Sequence, residues 1–139
     1  MKILFLIRNL DVGGAEKQMI LLSKGLADLG HQVSVAVFYP GKLDGELSSK
    51  VQLIKLNKSG FWDILKFFNS LQSCFRKQQP DVVYSYLVVP NLLAGLMKLV
   101  HRKTRVVWGI RSSNALDSHY KPLDRISFFL PFAFRFSPI

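Results

Sequence analysis

The chain has 139 residues, 49% apolar and 20% charged. That is enough hydrophobic material for one packed domain and too much for an intrinsically disordered polymer. A single cysteine excludes a disulfide scaffold and any multi-cysteine zinc ribbon. Nineteen Lys and Arg against nine Asp and Glu give a net charge of +10, a field that favours nucleic acid, phosphorylated small molecules or an acidic membrane face.

The longest uncharged stretch, Val82 to Met97, is 16 residues and contains Pro90 and Asn91; a membrane-spanning helix needs roughly 20. The first apolar run, Ile3 to Ile7, meets Arg8 after five residues, unlike a secretory signal. The expectation is a soluble protein of a reducing, cytoplasmic compartment.

Ile3–Ile7 is a short continuous apolar run, the pattern of a strand covered on both faces. After Asn9 to Gly14, the positions Ala15, Met19, Leu22, Leu26 and Leu29 form one helical stripe, stopped by Gly30. Val33 to Phe38 is a second strand, Lys42 to Lys50 a polar loop and Val51 to Leu56 a third, weaker strand. Phe61 to Lys77 reads as a helix ended by Pro80, with Cys74 as a buried thiol on its apolar side. Val82 to Leu87 is a fourth strand, Asn91 to Val100 a helix and Arg105 to Ile110 a fifth strand. Strands alternating with helices predict an α/β fold, a Rossmann-like doubly wound parallel sheet in a single domain over residues 1–121. Residues 122–139 are different in character. Five phenylalanines and three prolines crowd there, and Pro131 interrupts a helix begun at Leu123.

Ligands of open α/β sheets bind beyond the carboxyl ends of the strands, and three segments fall there. In Asp11-Val12-Gly13-Gly14-Ala15-Glu16, Gly13 and Gly14 permit a tight turn and close backbone approach, and the helix end that follows favours an anion. The segment is neither GxGxxG nor a P-loop. It equally fits a plain turn with Glu16 offsetting the helix dipole, and both readings stay open. In the second segment, packing explains Tyr84, while Tyr86 and Asn91 are candidates for contacts to a sugar or head group. The third ends an apolar strand with Arg111, Ser112, Ser113 and Asn114; an arginine fork there suits phosphate or carboxylate.

His31, His101 and His119 are scattered and lack metal-ligand spacing, so no metal site is expected. No Ser-His-Asp order or G-x-S-x-G elbow is present. Basic residues gather at Lys55, Lys58, Lys66, Arg76 and Lys77, and again from His101 to Arg105. With the aromatics of the helix Phe61 to Lys77 they describe either an interfacial patch on anionic lipid or an ordinary core helix with a solvated basic face.

Met1-Lys2-Ile3-Leu4-Phe5, Gly13-Gly14-Ala15-Glu16, Leu26 through Gly30-His31-Gln32-Val33, and Pro80-Asp81-Val82-Val83 together resemble a bacterial family-four glycosyltransferase of the GT-B type. Val106 to Asn114 fits one subset of that family, and the resemblance runs from Met1 to about Arg125. It implies the acceptor-side half of a two-domain enzyme. The implied reaction is retaining, hexosyltransferase-type transfer from a nucleotide-sugar to a polysaccharide or lipid-linked acceptor, without a metal or other cofactor. It places Gly13 and Gly14 at the diphosphate and acceptor side of the cleft. Arg111 stands where many members carry a histidine that contacts the donor sugar, and the catalytic assignment goes to it in outline.

The donor-binding half lies outside these 139 residues, as in a truncated or frameshifted gene or a half-enzyme. The chain alone is therefore expected to turn over slowly or not at all, because leaving-group stabilisation and alignment need both halves. The expected partners are a nucleotide-sugar with a separate donor domain, a glycan or lipid-linked acceptor, and an anionic membrane surface on the inner face of the plasma membrane. The alternative is a non-catalytic basic Rossmann-like module that binds an anionic membrane or polyanion. Nucleic acid fits least, with no strand-borne stacking platform and no helix-turn-helix. The phenylalanine-rich tail predicts self-association.

Overall fold

The computed structural model describes residues 1–58 and 63–109. Five parallel strands, β1 (Lys2–Ile7), β2 (Gln32–Val37), β3 (Val51–Lys55), β4 (Val82–Tyr86) and β5 (Arg105–Gly109), form one sheet in the order β3-β2-β1-β4-β5. Helices α1 (Gly14–Asp28), α2 (Ile64–Gln78) and α3 (Val88–Val100) make the crossovers, with a short 3-10 turn at Asp44–Glu46 between β2 and β3.

β1 is central because both of its faces are apolar. Ile3, Phe5 and Ile7 pack with Val33, Val35 and Val37 of β2 under Met19, Ile20 and Ala27 of α1. Leu4 and Leu6 point the other way and join Ala36, Phe38, Val83 and Val106 under Phe67, Leu71 and Phe75 of α2 and Ala94 and Met97 of α3. The alternation follows from the two-residue period of a strand. It explains why a fully apolar run sits mid-sheet while β3 stays half-exposed at the edge.

The helix ends follow their sequence signals. Gly30 adopts φ +85° just past α1, where His31 N–H donates to Leu26 O (3.1 Å) and Gly30 N–H to Ala27 O (3.0 Å), the paired bonds of a Schellman motif. Beside that end, Lys50 and Lys24 hold the Asp28 carboxyl below its ordinary value. α3 begins at Val88, three residues earlier than the sequence pattern suggests. Pro90 falls in the first turn, where a proline's missing N–H removes no helical bond. Cys74 is buried under the sheet, and burial pushes its thiol from an ordinary value of 9.0 to about 11, against a smaller opposing effect of Lys77. This fits an inert thiol.

At the amino edge of the sheet, Lys2 N–H donates to Asp81 Oδ2 (2.7 Å), Thr104 Oγ1 to Pro80 O (2.9 Å), and Lys98 Nζ to the carbonyls of Arg102 (2.8 Å) and Thr104 (2.6 Å). The Pro80-Asp81 pair is thus part of the closure of this edge.

The carboxyl edge is organised by close backbone packing. The loop after β2 folds onto the loop after β1, with Leu43 N–H donating to Leu10 O (2.8 Å). A Cβ on Gly41 lies within 2.5 Å of three backbone atoms of Leu10, whereas one on Gly14 meets nothing within 4 Å. Gly41→Ala is therefore expected to destabilise the chain by about 1–3 kcal/mol in urea denaturation, because main chain must move. Gly14→Ala is expected to be neutral or stabilising, by up to about 1 kcal/mol.

Candidate functional site

The strand order reverses between β1 and β4. α1 leaves β1 toward one face of the sheet and α3 leaves β4 toward the other, so the two strand-to-helix turns part and leave a crevice at the carboxyl edge.

One wall is the segment Arg8 to Glu16. Buried Leu10 anchors it to the core. Asp11 accepts from the Asn9 amide and from Lys42 N–H (3.4 Å), which ties its carboxylate to the loop. Gly13 is the extended N-cap of α1, without a side-chain capping bond. The Glu16 carboxylate folds back against Gly13 and occupies the space that a Cβ there would fill. The positive end of the α1 dipole therefore already has a carboxylate of this chain beside it.

The other wall is the turn at Leu87, the N-cap of α3, with φ +71° and ψ 168°. That region is essentially reserved for glycine, and an L residue persists in it only where its surroundings over-determine the backbone. The surroundings here are specific. The Leu87 side chain packs partly into the α1-side core. Beneath it, Ser85 Oγ donates to Asn91 Oδ1 (2.7 Å), with both residues buried. Asn91 N–H donates to Leu87 O (3.1 Å). Tyr86 is fully buried, its ring tilted against those of Tyr84 at 4.9 Å and Phe5 at 6.4 Å between centroids. Gly109 of β5 lets these rings close up, since a Cβ there lies 2.9 Å from Tyr84 Cε1.

Of the residues expected to bind ligand, Gly13 and Gly14 line the crevice wall. Tyr86 and Asn91 lie below its floor, where they hold the β4–α3 turn. Arg111, Ser112, Ser113 and Asn114 lie outside the described residues, as do Ile110, Phe61, Trp62 and the segment 122–139. Among the described residues no group of His, Cys, Asp and Glu is arranged to hold a metal ion, and no helix is long and apolar enough to cross a membrane.

A cluster that the linear sequence does not reveal sits on the same edge. Tyr39 follows β2, and the centroid of its ring lies 5.7 Å from the Arg8 guanidinium and 5.8 Å from Lys58 Nζ, so each cation is within cation–π range of that ring. Away from the crevice, an open groove of about 590 Å³ runs between β3 and α2, lined by Ile54, Leu56 and the lysines 55, 66 and 77. Phe67, Leu71 and Phe75 of α2 are core, while Ile64 and Leu65 are exposed beside Lys66.

The profile of glycosyltransferase family 4 matches residues 12–137, and the chain belongs to that family. The match continues past Arg125 into the phenylalanine-rich segment. A curated relative from Campylobacter jejuni, GalNAc-alpha-(1->4)-GalNAc-alpha-(1->3)-diNAcBac-PP-undecaprenol alpha-1,4-N-acetyl-D-galactosaminyltransferase, is 26% identical over 129 residues, covering 88% of this chain and 34% of its own length. The chain thus spans about a third of that relative. Sucrose-phosphate synthase from Thermosynechococcus elongatus has the same fold with a TM-score of 0.60 at 13% identity, over 96% of this chain and 40% of that one. The calicheamicin glycosyltransferase CalG4 aligns with a TM-score of 0.55 at 13% identity, over 96% and 36%. The architecture is that of one Rossmann-like half of a GT-B glycosyltransferase.

The Leu87 backbone gives a direct test of strain at the crevice. Leu87→Gly is expected to be more stable than Leu87→Ala by about 1–3 kcal/mol, the reverse of the usual order in ordered backbone. Equal stabilities in parallel denaturant titrations show an unstrained turn.

Proposed function

We propose that this chain is the acceptor-side domain of a retaining glycosyltransferase that moves a sugar from a nucleotide-sugar to a polysaccharide or lipid-linked acceptor in cell-envelope glycan synthesis. The observation that carries the reading is the family match across residues 12–137 on a chain whose reversal crevice opens between Gly13 and Leu87. The relative's lipid-diphosphate-linked acceptor supports the lipid-linked option, and the net charge of +10 suits an acceptor bearing phosphate.

In this reading the Gly13–Gly14 turn and the Leu87–Val88 backbone bound the space for the acceptor. Tyr86, Ser85 and Asn91 hold the second wall rigid from beneath. By the family resemblance, Arg111 takes the catalytic role and Ser112, Ser113 and Asn114 contribute to donor or acceptor binding. The reaction as proposed takes no metal; cationic side chains of the two halves offset the departing diphosphate. The donor half comes from a second Rossmann-like domain, in the same protein or as a separate chain.

The test is sugar transfer to a lipid-diphosphate-linked acceptor by the purified chain, alone and mixed with a donor-binding domain of a family-4 enzyme. The mixture is expected to exceed the chain alone by about 100-fold or more and to be indifferent to EDTA. Equal turnover by the chain alone, or none in any combination, contradicts the reading.

The same proposal places the domain peripherally on the inner, anionic face of the plasma membrane, with Lys66, Lys77 and the exposed Ile64 and Leu65 of α2 toward the lipid. Flotation with phosphatidylglycerol vesicles is expected at low salt and is expected to weaken as salt shortens the Debye length. Identical flotation with neutral phosphatidylcholine vesicles, or none with either, overturns this placement.

A further inference from the structure

We infer that α3 is the element of this domain that enters a lipid surface, lying in the plane of the interface with the row Val89, Leu92, Leu96, Leu99 and Val100 among the acyl chains. The inference deepens the lipid-linked reading above and rests on it for the role that insertion serves.

α3 is apolar on two opposite sides. On one side Pro90, Asn91, Ala94 and Met97 are buried, with Ala94 and Met97 packed against the sheet. On the other, Val89, Leu92, Leu96 and Leu99 follow one another at spacings of three and four, with Val100 beside them, and so form one continuous row along the helix. Val89, Leu96, Leu99 and Val100 leave between 45% and 56% of their surface exposed. The helix has one charged residue, Lys98, and it is drawn away from this row by the carbonyls of Arg102 and Thr104, at 2.8 and 2.6 Å. A helix that is apolar all round is one that is covered all round, and the sheet covers one side only. Contiguous apolar surface of this kind marks a contact surface.

Charge identifies what covers it. From Ile64 to Gly109, the stretch that makes α2, β4, α3 and β5, there are seven Lys and Arg and a single acid, Asp81. Asp81 is engaged by Lys2 N–H at the amino edge. α2 and α3 share one face of the sheet, and the exposed cations Lys66, Arg76, Lys77, Arg102 and Lys103 belong to α2 and to the turn after α3. An apolar row within a field of one sign suits an anionic bilayer, which supplies hydrocarbon and negative charge together. A second copy of the chain presents the same positive face and is repelled. With 13 residues, α3 is about 20 Å long, too short to span a bilayer, so the row lies along the surface.

The row starts at Val89, two residues beyond the Leu87 turn that walls the crevice. Insertion of α3 therefore brings the crevice to the level of the head groups, where a lipid-linked acceptor carries its diphosphate.

The experiment is flotation of the whole chain with phosphatidylglycerol vesicles at low salt, comparing wild type, Leu96→Glu and Leu21→Glu. Leu21 is an exposed leucine of α1, on the other face of the sheet. Leu96→Glu is expected to weaken partition about tenfold or more, and Leu21→Glu to leave it unchanged. Leu99→Glu serves as the second variant should Leu96→Glu fail to fold by circular dichroism. A bimane label on Leu96→Cys, in a Cys74→Ser background, is expected to shift its emission to the blue when vesicles are added, and a label on Leu21→Cys is not. Equal flotation of wild type and Leu96→Glu, no flotation of wild type, or a bimane at position 96 already shielded before vesicles are added, as in a dimer through this face, overturns the inference. Turnover of a water-soluble acceptor in the reconstituted mixture is expected to be the same for Leu96→Glu and wild type. Failure of the transferase reading is seen in that turnover and failure of insertion in the vesicles.

Discussion

β1 has two apolar faces and a neighbour on each edge, and this double burial is the constraint on which the rest of the structure depends. With β2 on one side and β4 on the other, right-handed crossovers send α1 and α3 to opposite faces. The chain therefore diverges at the carboxyl end of β1. The crevice is a product of topology before any ligand-binding side chain is considered. The same geometry requires a sharp exit from β4, and Leu87 absorbs it with a backbone conformation that costs free energy locally and is held by the core beneath.

The two edges of the sheet use polar groups differently. At the amino edge, Asp81, Thr104 and Lys98 are consumed in bonds to neighbouring backbone, so they rigidify strand entry and leave little chemistry open to a ligand. At the carboxyl edge, backbone bonds do the stitching. Side chains such as Arg8 and Tyr39 are carried outward on a rigid base. A site for a charged ligand needs that combination, because pre-positioned cations bind without the cost of ordering themselves. Asp11 and Asp44 of this edge are tied to loop backbone and, for Asp44, to Lys55.

The fold is legible in the sequence because its signals are local. The run Ile3–Ile7 is apolar without alternation, which only a strand covered on both sides requires, and Gly30 marks the helix stop by the conformation it must adopt. Legibility fails where a feature depends on contacts distant in sequence. Pro90 looks like an interruption in a linear reading, yet it lies in the first turn of α3, because the helix start is set by the Leu87 turn. Tyr86 and Asn91 sit at the expected edge, but whether such side chains point into the crevice or under it is decided by Phe5 and Ser85, which pair with them across the sheet and helix. Arg8, Tyr39 and Lys58 are separated by 31 and 19 positions in the chain, and no periodicity links them. Only the strand order reveals that they share a ring.

The central claim is that ligand engagement occurs in the crevice between the β1–α1 and β4–α3 turns. The most direct measurement is amide chemical-shift mapping of the isotopically labelled chain during titration with a water-soluble, short-chain lipid-diphosphate saccharide. The account predicts saturable shifts at Gly13, Gly14, Leu87 and Val88, with Lys2, Gln32 and Asp81 at the opposite edge unmoved. Shifts confined to the amino edge, or to the groove between β3 and α2, contradict it.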